Sequence, residues 1–299
     1  MRITSISKAL ILLILATSCV SKRQIAEIKN KVAEQKNIEN QLFNRITKLE
    51  EKRVEKNALG ELDDRSNMSI QKIIDGEKNA VIKKADSLIK IDEMLSSNKR
   101  IKVKDFRKIV TVISIYNDEV KDVKTETLDF IENLFNQKTF IKFNSAAFFG
   151  PGGYKIPDEK MEEAKNVFSP IVDSLLVFIK KYPKINLSSS IVSSGYADGQ
   201  GFSEGELVNQ LTANLNKALA SKEELNAELS RLRAEEVLSI LMQIYKNKIQ
   251  NIDNQNKFQT DFFAIGKGEE FPNKKITNYQ TDDERRRIVV IYWNSLPKD

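Results

Sequence analysis

The chain changes texture near Gln137, and that change constrains its fold more than any other feature. Upstream, Ser21 to Asn57 contains no glycine and no proline, and apolar residues recur at helical spacing: Ile25, Ile28 and Val32, then Ile38, Leu42, Ile46 and Leu49. Downstream, short β-like runs alternate with turns and two long amphipathic stretches. This division predicts an α+β protein. A long α-helical or coiled-coil region precedes a C-terminal β-α-β-α-β-β mixed sheet with helices packed on one face. Charged residues make up 30% of the chain, with only 11 Gly and 6 Pro in 299 residues, which favours long solvated helices over an all-β fold.

Residues 19–58 read as a helical stalk. Its two apolar sets fall out of step near Gln35, and each gives a narrow stripe. Such a stripe suits a coiled coil, formed with a second copy or a partner helix, and equally a helix lying on its own domain. As one helix the segment reaches on the order of 50 Å at ~1.5 Å per residue. Residues 59–136 form a second helical region. Leu59–Met68 is acidic and turn-like, and helical patterns then cover Ile70–Leu95 and Lys104–Phe135. Lysines interleave with Asp and Glu there, as on ordinary solvated faces.

Met1–Ser18 has the pattern of a signal peptide. Arg2 and Lys8 precede a short apolar run, Ala9–Ala16, and small residues lead to Cys19. The run is far shorter than the ~20 residues that span a bilayer. Leu15-Ala16-Thr17-Ser18-Cys19 resembles a bacterial lipobox, which implies acylation at Cys19 and a lipid-anchored protein. Without Arg2 and Lys8, 46 basic residues face 42 acidic ones, a charge of about +4. No basic stripe with interleaved aromatics accompanies it, so nucleic acid is not an expected partner.

Two absences narrow the chemistry. There is no histidine, and Cys19 is the single cysteine. His-based triads, His metal sites, disulfides within the chain and thiolate clusters are therefore excluded. No cofactor, metal or catalytic residue is expected. The densest carboxylate cluster, Asp282-Asp283-Glu284, consists of neighbours that rarely face one pocket.

Residues 137–299 carry the sheet domain. Thr139–Phe143 is β-like and leads to the turn Gly150-Pro151-Gly152-Gly153, which no Gly-Lys-Ser/Thr follows. A helix is expected from Pro157 to about Lys181, ended by Tyr182-Pro183. Lys184–Ser194 alternates as a half-buried strand. Lys222–Tyr245 forms a second long helix, and Thr260–Ile265 and Arg287–Trp293 form two more strands.

Four stretches in this order resemble the OmpA-like peptidoglycan-binding domain of outer-membrane anchors and Pal-type lipoproteins. Phe148–Ile156 resembles its aromatic-turn entry. Gly195-Tyr196-Ala197-Asp198 with Gly201 resembles its Gly-His/Tyr-Thr/Ala-Asp-x-x-Gly turn. Asn226-x-x-Leu229-Ser230-x-x-Arg233-Ala234 matches its helix signature. Gly266-x-Gly268-Glu269-x-x-Pro272 and Arg286-Arg287-Ile288 resemble its loop and final strand start. Two departures stand out. Arg285 replaces an Asn, and Phe202–Leu225 inserts about twenty residues that extend the second helix or form a flap.

The resemblance implies non-covalent binding of the stem-peptide diamino acid of peptidoglycan. Carried over, Asp198 accepts from the ligand ammonium and Arg233 forks onto its carboxylate, a pairing suited to the planar guanidinium. Gly195 permits a tight backbone, Ala197 lies in the turn, Asn226 caps the helix or ties the turn to it, and Arg286 braces the pocket. Taken alone, Asp198 equally suits a local turn cap, and Arg233 a surface pair with Glu236. The implied protein faces the periplasm from the outer membrane and tethers it to the wall. The competing reading is a coiled-coil envelope scaffold or protein-binding module with a structural C-terminal domain.

Overall fold

A computed structural model describes residues 20–97, 101–119, 124–149, 152–183, 185–250 and 258–298. The signal segment Met1–Ser18 and the acylation site Cys19 lie outside the described residues. The protein is α+β, as its sequence predicts, with helices first and a four-stranded sheet after. No helix among the described residues is long and apolar enough to cross a membrane.

The chain divides into two compact units. The first comprises the described residues up to Glu51 together with Gln71–Ile131. Helices α1 (Lys22–Ala58) and α2 (Asp64–Ser96) supply most of it, with α3 (Val103–Glu119) and most of α4 (Lys124–Phe135). Ile28 and Val32 of α1 are buried against Leu88, Ile91 and Leu95 of α2 and Phe106, Ile109 and Ile113 of α3. Ile46 and Leu49 are buried as well, so the apolar stripe of α1 is covered from within the chain.

The second unit comprises Lys52–Ile70 and the chain from Glu132 onward. The sequence reading divides the chain at Gln137, whereas the compact unit also takes in the hairpin where α1 ends and α2 begins. Within Leu59–Met68, which reads as turn-like, helix α2 already starts at Asp64. The reason is local: Asp63 Oδ1 accepts from the backbone amides of Arg65 at 3.0 Å and Ser66 at 3.1 Å, the donors a helix start leaves unpaired.

The sheet runs β1 (Phe140–Asn144), β4 (Ile288–Pro297), β2 (Leu187–Gly195), β3 (Phe258–Gly266). β4 is central and antiparallel to both neighbours, whereas β2 and β3 are parallel. Its unbroken Ile-Val-Val-Ile-Tyr-Trp run suits a strand covered on both faces. The parallel β2–β3 pair needs a crossover, which α7 (Glu206–Asn214) and α8 (Lys222–Ile249) provide.

Helices α6 (Asp158–Lys180) and α8 pack on one face of the sheet. There Phe168 meets Phe143 of β1 and Phe178 meets Trp293 of β4, with ring centroids 4.8 and 5.3 Å apart. The one-turn α5 (Ser145–Phe149) joins this cluster through Phe148, whose ring lies 4.5 Å from that of Phe143. The opposite face holds Val192, Tyr196, Val290 and Tyr292. The α1–α2 hairpin crosses it: Tyr292 Oη donates to Gly60 O at 3.2 Å, and the Arg65 guanidinium stands 3.7 Å from the Phe263 ring centroid.

Candidate functional site

Two glycines bring the Gly195–Gly201 turn and helix α8 together. Gly195 and Gly266 end β2 and β3 as register partners, and both abut the backbone of α8. A Cβ on Gly195 would lie 2.0 Å from Ser230 O, and one on Gly266 would lie 2.5 Å from Ala227 O. Only a residue without a side chain allows this approach. Ser230 completes the junction, its Oγ accepting from Gly268 N at 2.9 Å. Gly268 O in turn accepts from Ala197 N at 2.7 Å.

Helix α8 starts with a full capping box. Ser221 Oγ accepts from Glu224 N, and the Glu224 carboxylate accepts from Ser221 N. Asn226 is therefore not the cap. Its buried side chain donates to Gln200 O at 3.3 Å and Glu269 Oε1 at 2.8 Å, tying the helix to both the turn and the Gly-x-Gly-Glu loop. Lys222 Nζ reaches the same Glu269 oxygen at 3.4 Å.

Above this junction lies a cleft of about 420 Å³. Ala197, Asp198, Asn226, Leu229, Arg233 and Arg287 line it on the domain side. Phe202, Ser203 and Leu207 line it from the insert. The last residues of the insert, Lys222–Leu225, form the first turn of α8, and the rest stays off the sheet. Its helix α7 packs on the first turns of α8 through Leu211, Leu225 and Leu229 and forms one wall of the cleft.

The charged groups are largely removed from water. Asp198 and Arg233 are each 6% exposed. Asp198 Oδ1 accepts weakly from Gln200 N at 3.4 Å. Among the described residues its Oδ2 has no hydrogen-bond partner, although Arg287 Nε stands 3.3 Å away. Arg233 Nε donates to Gly153 O at 2.9 Å, and among the described residues its two Nη groups meet no hydrogen-bond acceptor. Burial pushes the Arg233 guanidinium down to about 10, Asp198 opposes that shift and Arg287 adds to it. The residue stays charged at neutral pH. Two guanidiniums against one carboxylate give the cleft a net positive charge, and an unpaired buried acceptor costs on the order of 1–3 kcal/mol until it finds a donor.

The structure thus gathers Asp198, Arg233, Ala197 and Asn226 around one cleft. Gly195 lies behind it as a packing contact. Arg286 does not line it: its Nη2 donates to Glu269 O at 2.6 Å, and its guanidinium lies 5.1 Å from the Phe271 ring centroid. The arginine in the cleft is Arg287. A 3₁₀ turn at Glu284–Arg286 sets which of the two neighbours points inward. The sequence carries no signal for that choice. The carboxylates next door are also accounted for: Asp283 Oδ1 accepts from Arg285 N and Nε, each at 2.9 Å, and Glu284 lies 3.5 Å from Arg287 Nη2. Among the described residues no group of three His, Cys, Asp or Glu side chains is placed to hold a metal ion.

No protein-family model matches this chain, and no curated protein matches it significantly.

Proposed function

We propose that the protein is a non-catalytic cell-envelope tether whose C-terminal unit grips peptidoglycan. The observation that carries this reading is the cleft, where a carboxylate oxygen and a guanidinium fork, neither hydrogen-bonded among the described residues, share one cavity. A ligand bearing an ammonium and a carboxylate satisfies both. The diamino acid of the stem peptide is such a ligand, and the four motifs that resemble the OmpA-like domain converge on this junction. Asp198 accepts from the ammonium, Arg233 forks onto the carboxylate, and Arg287 adds a second cation. Charge-assisted bonds in a partly dry cleft are the strong kind. Acyl chains on Cys19 hold the outer membrane from its periplasmic side, and the helical region provides reach.

Sedimentation with purified peptidoglycan tests the reading. The wild-type protein should pellet with the wall material, while Asp198→Asn and Arg233→Ala should stay in solution. A wild-type protein that remains in the supernatant, or variants that pellet equally, would refute it. Incorporation of labelled palmitate, lost in Cys19→Ser, tests the anchor separately.

A further inference from the structure

The loop Gly266–Pro272 is held from two sides. Toward the cleft, Gly268 exchanges hydrogen bonds with Ala197 and Ser230, and Glu269 accepts from Asn226. Away from it, the loop meets the α1–α2 hairpin. Gly60 has φ of 68°, and a Cβ there would lie 2.3 Å from Pro272 O. Asp64 pairs with Lys267 Nζ at 2.7 Å, and Lys267 N donates to Gly195 O at 2.8 Å.

The ligand turn follows the same division. Tyr196 faces a small polar cavity of about 40 Å³ that it shares with Gly60, Asp64 and Lys267. Asp198, two residues on, lines the ligand cleft. One short turn therefore has its back to the hairpin and its front to the ligand. Pro272 lies four residues from Gly268, whose carbonyl accepts from Ala197 N at 2.7 Å.

We propose that Gly60 and Asp64, in the hairpin upstream of the sheet domain, are positioning residues for the cleft. Docking of the hairpin on the Gly266–Pro272 loop sets the geometry of the ligand turn. By thermodynamic reciprocity, a ligand in the cleft also tightens the docked hairpin. The effect on affinity rests on the peptidoglycan reading above, whereas the mechanical coupling does not.

The test uses the full chain and a control destabilised at a distance from the loop. Gly60→Val drives a side chain into the Pro272 carbonyl. Leu175→Ala removes a fully buried contact under α6, on the other face of the sheet. Amide exchange and binding of a soluble muropeptide are measured on both. The expected result is at least tenfold faster exchange at Ala197 and Gly268, and at least fivefold weaker binding, in Gly60→Val but not in Leu175→Ala. Asp64→Asn should shift both readouts in the same direction by about twofold, which keeps the test open if Gly60→Val does not fold. Asp64→Lys combined with Lys267→Asp should restore the wild-type values. Variants whose exchange and affinity match the control would overturn the proposal. If the wild-type protein does not bind the muropeptide, the ligand reading fails and the exchange measurement alone decides the coupling.

Discussion

Asp198 Oδ2 lies 3.3 Å from Arg287 Nε in the cleft and still makes no hydrogen bond among the described residues. The two groups attract each other, but their geometry leaves the carboxylate with a lone pair to give. Asp198→Asn should therefore leave folding nearly intact and weaken muropeptide binding by about ten- to a hundredfold, the loss of one charged hydrogen bond of ~1.5–3 kcal/mol. Titration calorimetry reads the affinity, and a melting curve checks the fold.

Arg233→Lys separates charge from shape. Lysine keeps the positive charge but presents one point donor where arginine presents a planar fork, and it gives up the Nε bond to Gly153 O. Binding should fall by about tenfold or more. Recovery of wild-type affinity in Arg233→Lys would mean that charge alone is read.

Gly195→Ala should destabilise the second unit by ~1–3 kcal/mol through overpacking, because its Cβ would strike Ser230 O. Gly201→Ala is the contrast, since a Cβ there meets nothing within 4 Å. Its effect should stay within ~0.5 kcal/mol. Urea denaturation of both variants distinguishes close approach from turn chemistry as the reason for each glycine.

Leu211→Ala tests the insert as a wall. Leu211 is fully buried in the cluster joining α7 to α8, and truncating such a leucine costs ~2–5 kcal/mol. Urea denaturation should show that loss, and muropeptide binding should weaken with it because α7 carries one side of the cleft. Unchanged affinity would mean that the wall does not touch the ligand.

The Asp64–Lys267 pair makes a pH prediction. The hydrogen bond from Lys267 lowers the Asp64 carboxyl below its usual 3.8, burial partly opposing it. Burial works against the Lys267 ammonium, but the bond and charge of Asp64 raise it above 10.5. A lowered acid stabilises the fold above 3.8 and loses that contribution as pH falls through its folded value. A raised base stabilises the fold below 10.5 and loses that contribution as pH climbs through its own. The stability gap between wild type and Asp64→Asn should be constant across neutral pH and close below 3.8. The Asp64 side chain is 59% exposed, so the gap should stay under about 1 kcal/mol.

The sequence by itself determined which segments are helices and strands, since periodicity and punctuation are local. The stripe of α1, the alternation of β2 and the apolar run of β4 each dictate their own element. Asp198 and Arg233 were singled out by the motif resemblance alone, and folding places them around one cleft. Tertiary structure decided what no local pattern encodes. Arg287 rather than Arg286 enters the cleft, because the 3₁₀ turn before β4 sets the phase of two adjacent arginines. The insert became a wall because Leu211 of α7 finds Leu225 and Leu229 of α8 across space. Gly195 proved to be a contact with a helix thirty-five residues later, and Gly60 a contact with a loop more than two hundred residues later. Such contacts form only when the whole unit closes, which is why the residues that shape the cleft are harder to read from sequence than those that line it.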